Sequence, residues 1–223
     1  MSATPTDVRA LTCTGRPRCL SREADTDEMK NSWLRSRFDA LRALGLNDRT
    51  AAALLSHYTR ETGWGRSEHN FALGNIRWTQ GVGGPAFYQQ GSDDPTPRPY
   101  RAFGSLDDGA RAAVALASSG RYAGAWGALQ GGAPETEWYA RLMNAGWHPY
   151  SDASLDDYAG VLRSVRARLG LAPSVQPTPL PYLRSLGPLQ APAPARGSVP
   201  ILGAVAVVGV GAALAYAYAR WRR

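Results

Sequence analysis

The stretch HYTRETGWGRSEHNFALGNIRW, residues 57–78, decides how this chain reads. It opens as the end of an amphipathic helix in which Ala51, Leu54, Leu55 and Tyr58 share one face, and Gly63 stops that helix. Glu61 lies three residues after Tyr58 and seven after Leu54, so helical spacing puts its carboxylate on the apolar stripe, directed at the core. A carboxylate placed there loses hydration, and at a helix C-terminus it also meets the negative end of the macrodipole. Both effects favour the protonated form, which is what a general acid at near-neutral pH requires. The plain alternative is a solvated glutamate at a fraying helix end.

Working outward, Leu34, Phe38, Leu41 and Leu44 define an earlier helix closed by Gly45. From Gly81 to Phe103, aromatic residues flank turn signals such as Gly91-Ser92-Asp93-Asp94-Pro95, a pattern suited to an irregular lobe or short hairpin. Helices then resume. Ser105 with Asp108 and Ser154 with Asp157 read as capping boxes, and Tyr122 to Leu129 and Glu135 to Ala145 supply two helices between them. The expected class is mainly α, with a small non-helical lobe between early and late helices.

Composition bounds the rest. With 223 residues, 44% hydrophobic, seven Trp and ten Tyr, the chain holds one packed domain plus appendages. We read residues 1–30 as a flexible leader, 31–171 as the domain, 172–198 as a Pro/Ala-rich linker, 199–219 as a transmembrane helix and 220–223 as a basic tail. The segment VPILGAVAVVGVGAALAYAYA is uncharged over the length a bilayer requires, with Tyr216, Tyr218 and Trp221 near its end. The leader lacks the apolar run of a secretory signal. Cys13 and Cys19 are too few and too close for a disulfide framework or a zinc site. A net charge of +7 suits an anionic partner. Lys30 is the only lysine among 25 basic residues, and the arginines are spread along the chain, which argues against nucleic acid.

The motif Glu61-Thr62-Gly63-Trp64-Gly65, followed by Asn70-Phe71-Ala72-Leu73-Gly74-Asn75-Ile76 and Trp78, resembles the signature of the lysozyme-like glucosaminidase and flagellar-autolysin families. Downstream, Tyr100-Arg101-Ala102-Phe103 with Ser105, then Arg121-Tyr122, then Ala145-Gly146-Trp147 with Tyr150 and Tyr158, are similar to later family segments, so the likeness spans roughly residues 33–170. It implies a lysozyme-like α+β domain that cleaves the β-1,4 glycosidic bonds of peptidoglycan, as an N-acetylglucosaminidase, a muramidase or a lytic transglycosylase, with Glu61 protonating the glycosidic oxygen. The chain departs from the family in carrying Trp147 where Tyr is usual.

A second carboxylate is less legible. Asp93 and Asp94 occupy the lobe where related enzymes carry a base or stabilising acid, although Ser-Asp-Asp-Pro is also ordinary turn sequence. Glu68 is the other nearby carboxylate, with surface charge as its ordinary reading. Inverting hydrolysis needs a second carboxyl about 6.5 to 9.5 Å away and retaining hydrolysis about 5 to 5.5 Å, whereas substrate-assisted cleavage and transglycosylation work with one acid. For substrate binding we expect Trp64, Asn70, Trp78, Tyr100, Trp147 and Tyr150, the aromatics among them also being candidates for core packing. Trp126 and Trp138, on helical faces, are expected to be core. His57, His69 and His148 lack metal-ligand spacing, so no metal or cofactor is implied. The competing reading is a catalytically inactive wall-binding module on a membrane anchor. Arginines after the span favour an outward-facing domain. With no signal, a bacteriophage protein, in a virion membrane or delivered to the wall from the host inner membrane during lysis, reconciles that topology.

Overall fold

The computed structural model describes residues 12–15, 26–79, 84–89 and 96–173. Its elements run α1 (Asp27–Ala43), α2 (Asp48–Glu61), β1 (Ala86–Gln89), β2 (Arg98–Arg101), α3 (Leu106–Ala117), a 3-10 turn (Gly120–Tyr122), α4 (Ala123–Gln130), α5 (Glu135–Asn144) and α6 (Asp152–Leu169). The small lobe is the antiparallel pair of β1 and β2, with Ala86 opposite Arg101 and Phe87 opposite Tyr100. Among the described residues the expected mixture of helices and one hairpin is present.

Local chemistry sets the helix ends. Thr26, Asn47 and Ser105 cap α1, α2 and α3 by accepting from the backbone N–H three residues on. The last helix differs from the sequence expectation: Ser151, not Ser154, caps α6. Ser154 therefore lies inside the first turn, and Asp157 is released from a capping role to pair with Arg60 of α2 at 2.6 Å. Gly45 and Gly170 take left-handed backbone where α1 and α6 end.

α2 is the axis of the domain. Every residue from Thr50 to Thr59 is buried, because α1, α5 and α6 pack around it. A helix enclosed on all sides is not restricted to one apolar stripe, so Ser56, His57 and Thr59 are buried alongside Leu54 and Tyr58. The core continues through Trp138, Tyr139 and Tyr158, with Tyr139 and Tyr158 stacked at 4.0 Å and 7°. Burying each large apolar side chain contributes about 1.5–3 kcal/mol. A second, smaller cluster of Ala72, Phe87 and Ala102 anchors the hairpin. Trp138 is core as expected, and Trp126 packs half-buried against the same cluster.

The turn after α2 is unusual in its backbone. Gly63, Trp64, Gly65, Asn70, Phe71, Gly74 and Asn75 all have positive φ, four of them with side chains that disfavour it. At Gly65 and Gly74 a Cβ would collide with the Trp33 indole and the Tyr58 ring, so those glycines are required by close approach as well as by conformation.

Two expectations are corrected here. The leader is not loose throughout: Thr12–Gly15 form a strap on the 65–71 turn. Asn70 N–H donates to the Thr12 carbonyl at 2.9 Å, Phe71 N–H donates to Thr14 Oγ1 at 2.7 Å, and Thr14 and Gly15 N–H donate to the Glu68 carbonyl at 3.3 and 3.1 Å. Glu68 is neither surface charge nor a free carboxylate. It is fully buried and accepts from Arg37 Nη2 at 2.5 Å, Arg37 Nε at 3.2 Å and Trp33 Nε1 at 2.9 Å, while Arg37 also donates to the Thr14 carbonyl.

Among the described residues no helix is long and apolar enough to cross a membrane. The expected span 199–219, the basic tail and the linker beyond Pro173 lie outside the described residues, as does Cys19.

Replacing Glu68 by Gln leaves the buried Arg37 guanidinium without its counter-charge. The expected loss is about 3–5 kcal/mol, read as a lower midpoint in denaturant unfolding; an unchanged midpoint would show that Arg37 finds water instead.

Candidate active site

Glu61 is the last residue of α2, and its position differs from the one its spacing predicts. Leu54 and Tyr58 point into the core, with Tyr58 donating to the Ala113 carbonyl at 3.0 Å. By the final turn, however, the helix has reached the surface, and the Glu61 side chain is 30% exposed. The carboxylate is therefore accessible from solvent. Burial by its surroundings nonetheless raises its pKa above the ordinary carboxylate range, against the opposing pull of the Arg60 guanidinium, 3.5 Å away, and of His148.

The neighbours of Glu61 come from three helices and one loop. Arg60 is held by Asp157 of α6. Tyr139 of α5 meets His148 Nε2 at 2.6 Å, and His148 Nδ1 lies 3.1 Å from the Pro149 carbonyl. A carbonyl only accepts, so Nδ1 donates to it, while Nε2 accepts from the Tyr139 hydroxyl in the neutral ring and donates to it in the charged one. Burial pushes the pKa of that hydroxyl upward. One turn below Glu61 on α2 sits His57, buried among Tyr58, Trp138, Tyr139 and Trp147. Neither of its ring nitrogens has a hydrogen-bond partner among the described residues, and desolvation lowers its pKa to about 3, so it is neutral in any ordinary buffer.

The expected substrate-binding residues separate into groups. Trp147 belongs with the Glu61 cluster: its ring meets His57 edge-on at 4.7 Å and Tyr122 at 5.0 Å, forming a half-exposed aromatic wall. Tyr150 is half-buried against the main core just beyond it. On the hairpin, Tyr100 stacks on Phe87 at 5.7 Å beneath the Arg77 guanidinium, and Trp78 N–H donates to the Pro99 carbonyl at 3.0 Å. Trp64 is engaged elsewhere, with Lys30 Nζ 5.9 Å and the Arg168 guanidinium 5.4 Å from its ring, where the ends of α1 and α6 meet. Asn70 is 6% exposed, and its Oδ1 accepts from Thr12 N–H at 3.1 Å, so its side chain holds the strap. Asp93 and Asp94 lie outside the described residues.

Arg60, His57, Tyr139, His148 and Asp157 were not singled out as site residues from the sequence. A signal existed for two of them, since His57 stands at i−4 from Glu61 and His148 directly follows Trp147. Among the described residues no group of His, Cys, Asp and Glu is placed to hold a metal ion.

No family model and no curated protein matches the chain. Among solved structures it is similar to a peptidoglycan hydrolase from Sphingomonas sp. A1, at 22% identity over 66% of this chain and 94% of that one, with a TM-score of 0.47. A mutant of a peptidoglycan hydrolase from the same organism aligns at 22% identity over 61% of this chain and 91% of its own, TM-score 0.47. The glycoside hydrolase domain of Salmonella typhimurium FlgJ aligns at 16% identity over 63% of this chain and 91% of its own, TM-score 0.47.

Because Arg60 stabilises the ionised form of Glu61, Arg60→Gln is expected to raise the Glu61 pKa further. Carboxyl-carbon NMR titration of the full chain checks this; a pKa that stays put or falls would show that solvent already screens the guanidinium.

Proposed function

We propose that this chain is a peptidoglycan glycosidase cleaving β-1,4 bonds of the glycan strand, with Glu61 as its general acid. The observation that carries the reading is the state of that carboxylate. It is reachable from solvent, yet its pKa is raised by desolvation, at the end of a helix whose sequence bears the Glu-Thr-Gly-Trp-Gly motif. A glycan strand lying across the end of α2 would have the Trp147–Tyr122 wall on one side, and aromatic faces of this kind stack on sugar rings. The wall-binding-module alternative needs the aromatics but gives no role to a protonated Glu61.

In the reaction Glu61 donates its proton to the glycosidic oxygen as the bond from that oxygen to the anomeric carbon breaks. The leaving sugar departs with a neutral hydroxyl, and positive charge develops on the ring. The Glu68 and Asp157 carboxylates are committed to Arg37 and Arg60. A route that uses one acid fits these residues: the sugar's acetamido oxygen, or a hydroxyl of the same sugar, attacks the anomeric carbon, and Glu61 takes a proton back in the next step. Asp93 or Asp94 as a second carboxylate remains part of the proposal from sequence alone. So does membrane tethering through 199–219, with the linker letting the domain reach the wall in a virion or lysis setting.

The test is digestion of purified peptidoglycan by the full chain and by its Glu61→Gln variant, with muropeptides read by mass spectrometry. The variant is expected to lose roughly 10²–10⁴-fold in rate. The folded state binds the Glu61 proton more tightly than the unfolded chain does, so the ionised carboxylate disfavours folding at neutral pH. The unfolding midpoint of Glu61→Gln should therefore hold or rise. The product ends separate glucosaminidase, muramidase and lytic transglycosylase. A variant as active as wild type would remove Glu61 from the mechanism, and a folded wild type inert on several wall types would favour the binding module.

A further inference from the structure

Arg121 lies at the end of the aromatic wall that leads away from Glu61. Its side chain is exposed, but its guanidinium is not loose: Nη2 donates to the Tyr122 hydroxyl at 2.8 Å, and the group lies over the Tyr122 ring with its carbon 5.0 Å from the centroid. Its other terminal nitrogen rests against Gly146, 3.1 Å from where a Cβ would stand. The backbone there has φ +85°, so Gly146 provides a shelf that no other residue supplies without strain. Tyr122 in turn meets Trp147, and Trp147 meets His57 beneath Glu61. Arg60, the guanidinium beside Glu61, is by contrast neutralised by Asp157. Arg121 has no carboxylate partner among the described residues, although a guanidinium held in this way is preorganised for one.

We propose that Arg121, with the Tyr122–Trp147 wall, forms a subsite for a carboxylate-bearing amino sugar of the glycan strand: the ring stacks on the wall, and the carboxylate pairs with the free edge of the guanidinium. Arg121 is thereby a specificity residue that distinguishes acidic wall glycan from neutral N-acetylglucosamine polymer. This rests on the glycosidase reading above. Two carboxylates have the required chemistry, the lactyl carboxylate of a sugar freed of its peptide and a side-chain or terminal carboxylate of an attached stem peptide.

Binding to the full chain bearing Glu61→Gln, measured by calorimetry, tests the subsite without needing turnover. The probes are a peptide-free glycan fragment with lactyl carboxylates, the same fragment with intact stem peptides, and a neutral N-acetylglucosamine oligomer of equal length. Adding Arg121→Gln should weaken binding of an acidic fragment roughly tenfold or more and leave the neutral oligomer within about twofold. Loss confined to the peptide-free fragment assigns the lactyl carboxylate; loss confined to the peptide-bearing fragment assigns the stem. Arg121→Lys, which keeps the charge without the fork, should recover part of the affinity. Equal weakening for acidic and neutral probes, or none for either acidic probe, overturns the subsite. If acidic fragments bind through Arg121 and wild type cuts none of them, the subsite stands and the glycosidase reading falls.

Discussion

The buried Glu68 carboxylate is the interaction on which the site's geometry depends. It ties the middle of α1, through Trp33 and Arg37, to the left-handed turn after α2, adding a polar clamp where the Trp33 indole already packs on Gly65. Its backbone carbonyl meanwhile receives the N-terminal strap. A backbone with four non-glycine residues at positive φ does not persist unless its surroundings over-determine it. Here the constraint comes from a charge pair that is expensive to break once desolvated. The strap adds hydrogen bonds to the same turn, and Gly109 lets α3 come down onto the Phe71 carbonyl.

The second constraint is the enclosure of α2. A helix buried along ten consecutive residues places its final carboxylate at a reproducible point on the surface, with polar neighbours contributed by α5, α6 and the following loop. The polar cost of that enclosure is visible directly below, where both His57 nitrogens, Thr59 Oγ1 and Trp138 Nε1 are buried without partners among the described residues. Each such group costs about 1–3 kcal/mol. The result beneath Glu61 is a neutral, aromatic-rich floor that keeps water and competing charge away from it on that side.

Trp147 closes the wall beside the end of α2. Its indole fills the space between His57 and Tyr122, and the Tyr122 hydroxyl is turned toward Arg121.

The helical class, the helix-ending glycines, the hairpin between early and late helices and the motif around Glu61 are legible in the residues alone, because periodicity, capping and glycine placement are local properties of the chain. Trp147 is legible there too as a neighbour of the site. The surroundings of α2 emerge only from long-range packing, since a helix enclosed by others has no solvent face for a stripe to define, and Glu61 is exposed because the helix ends rather than turning inward. Likewise, the roles of Glu68, Asn70 and Trp64 depend on partners between 31 and 104 residues distant in sequence. No local pattern records whether a carboxylate will be buried against an arginine from another helix, as Glu68 is, or stay within reach of water, as Glu61 does.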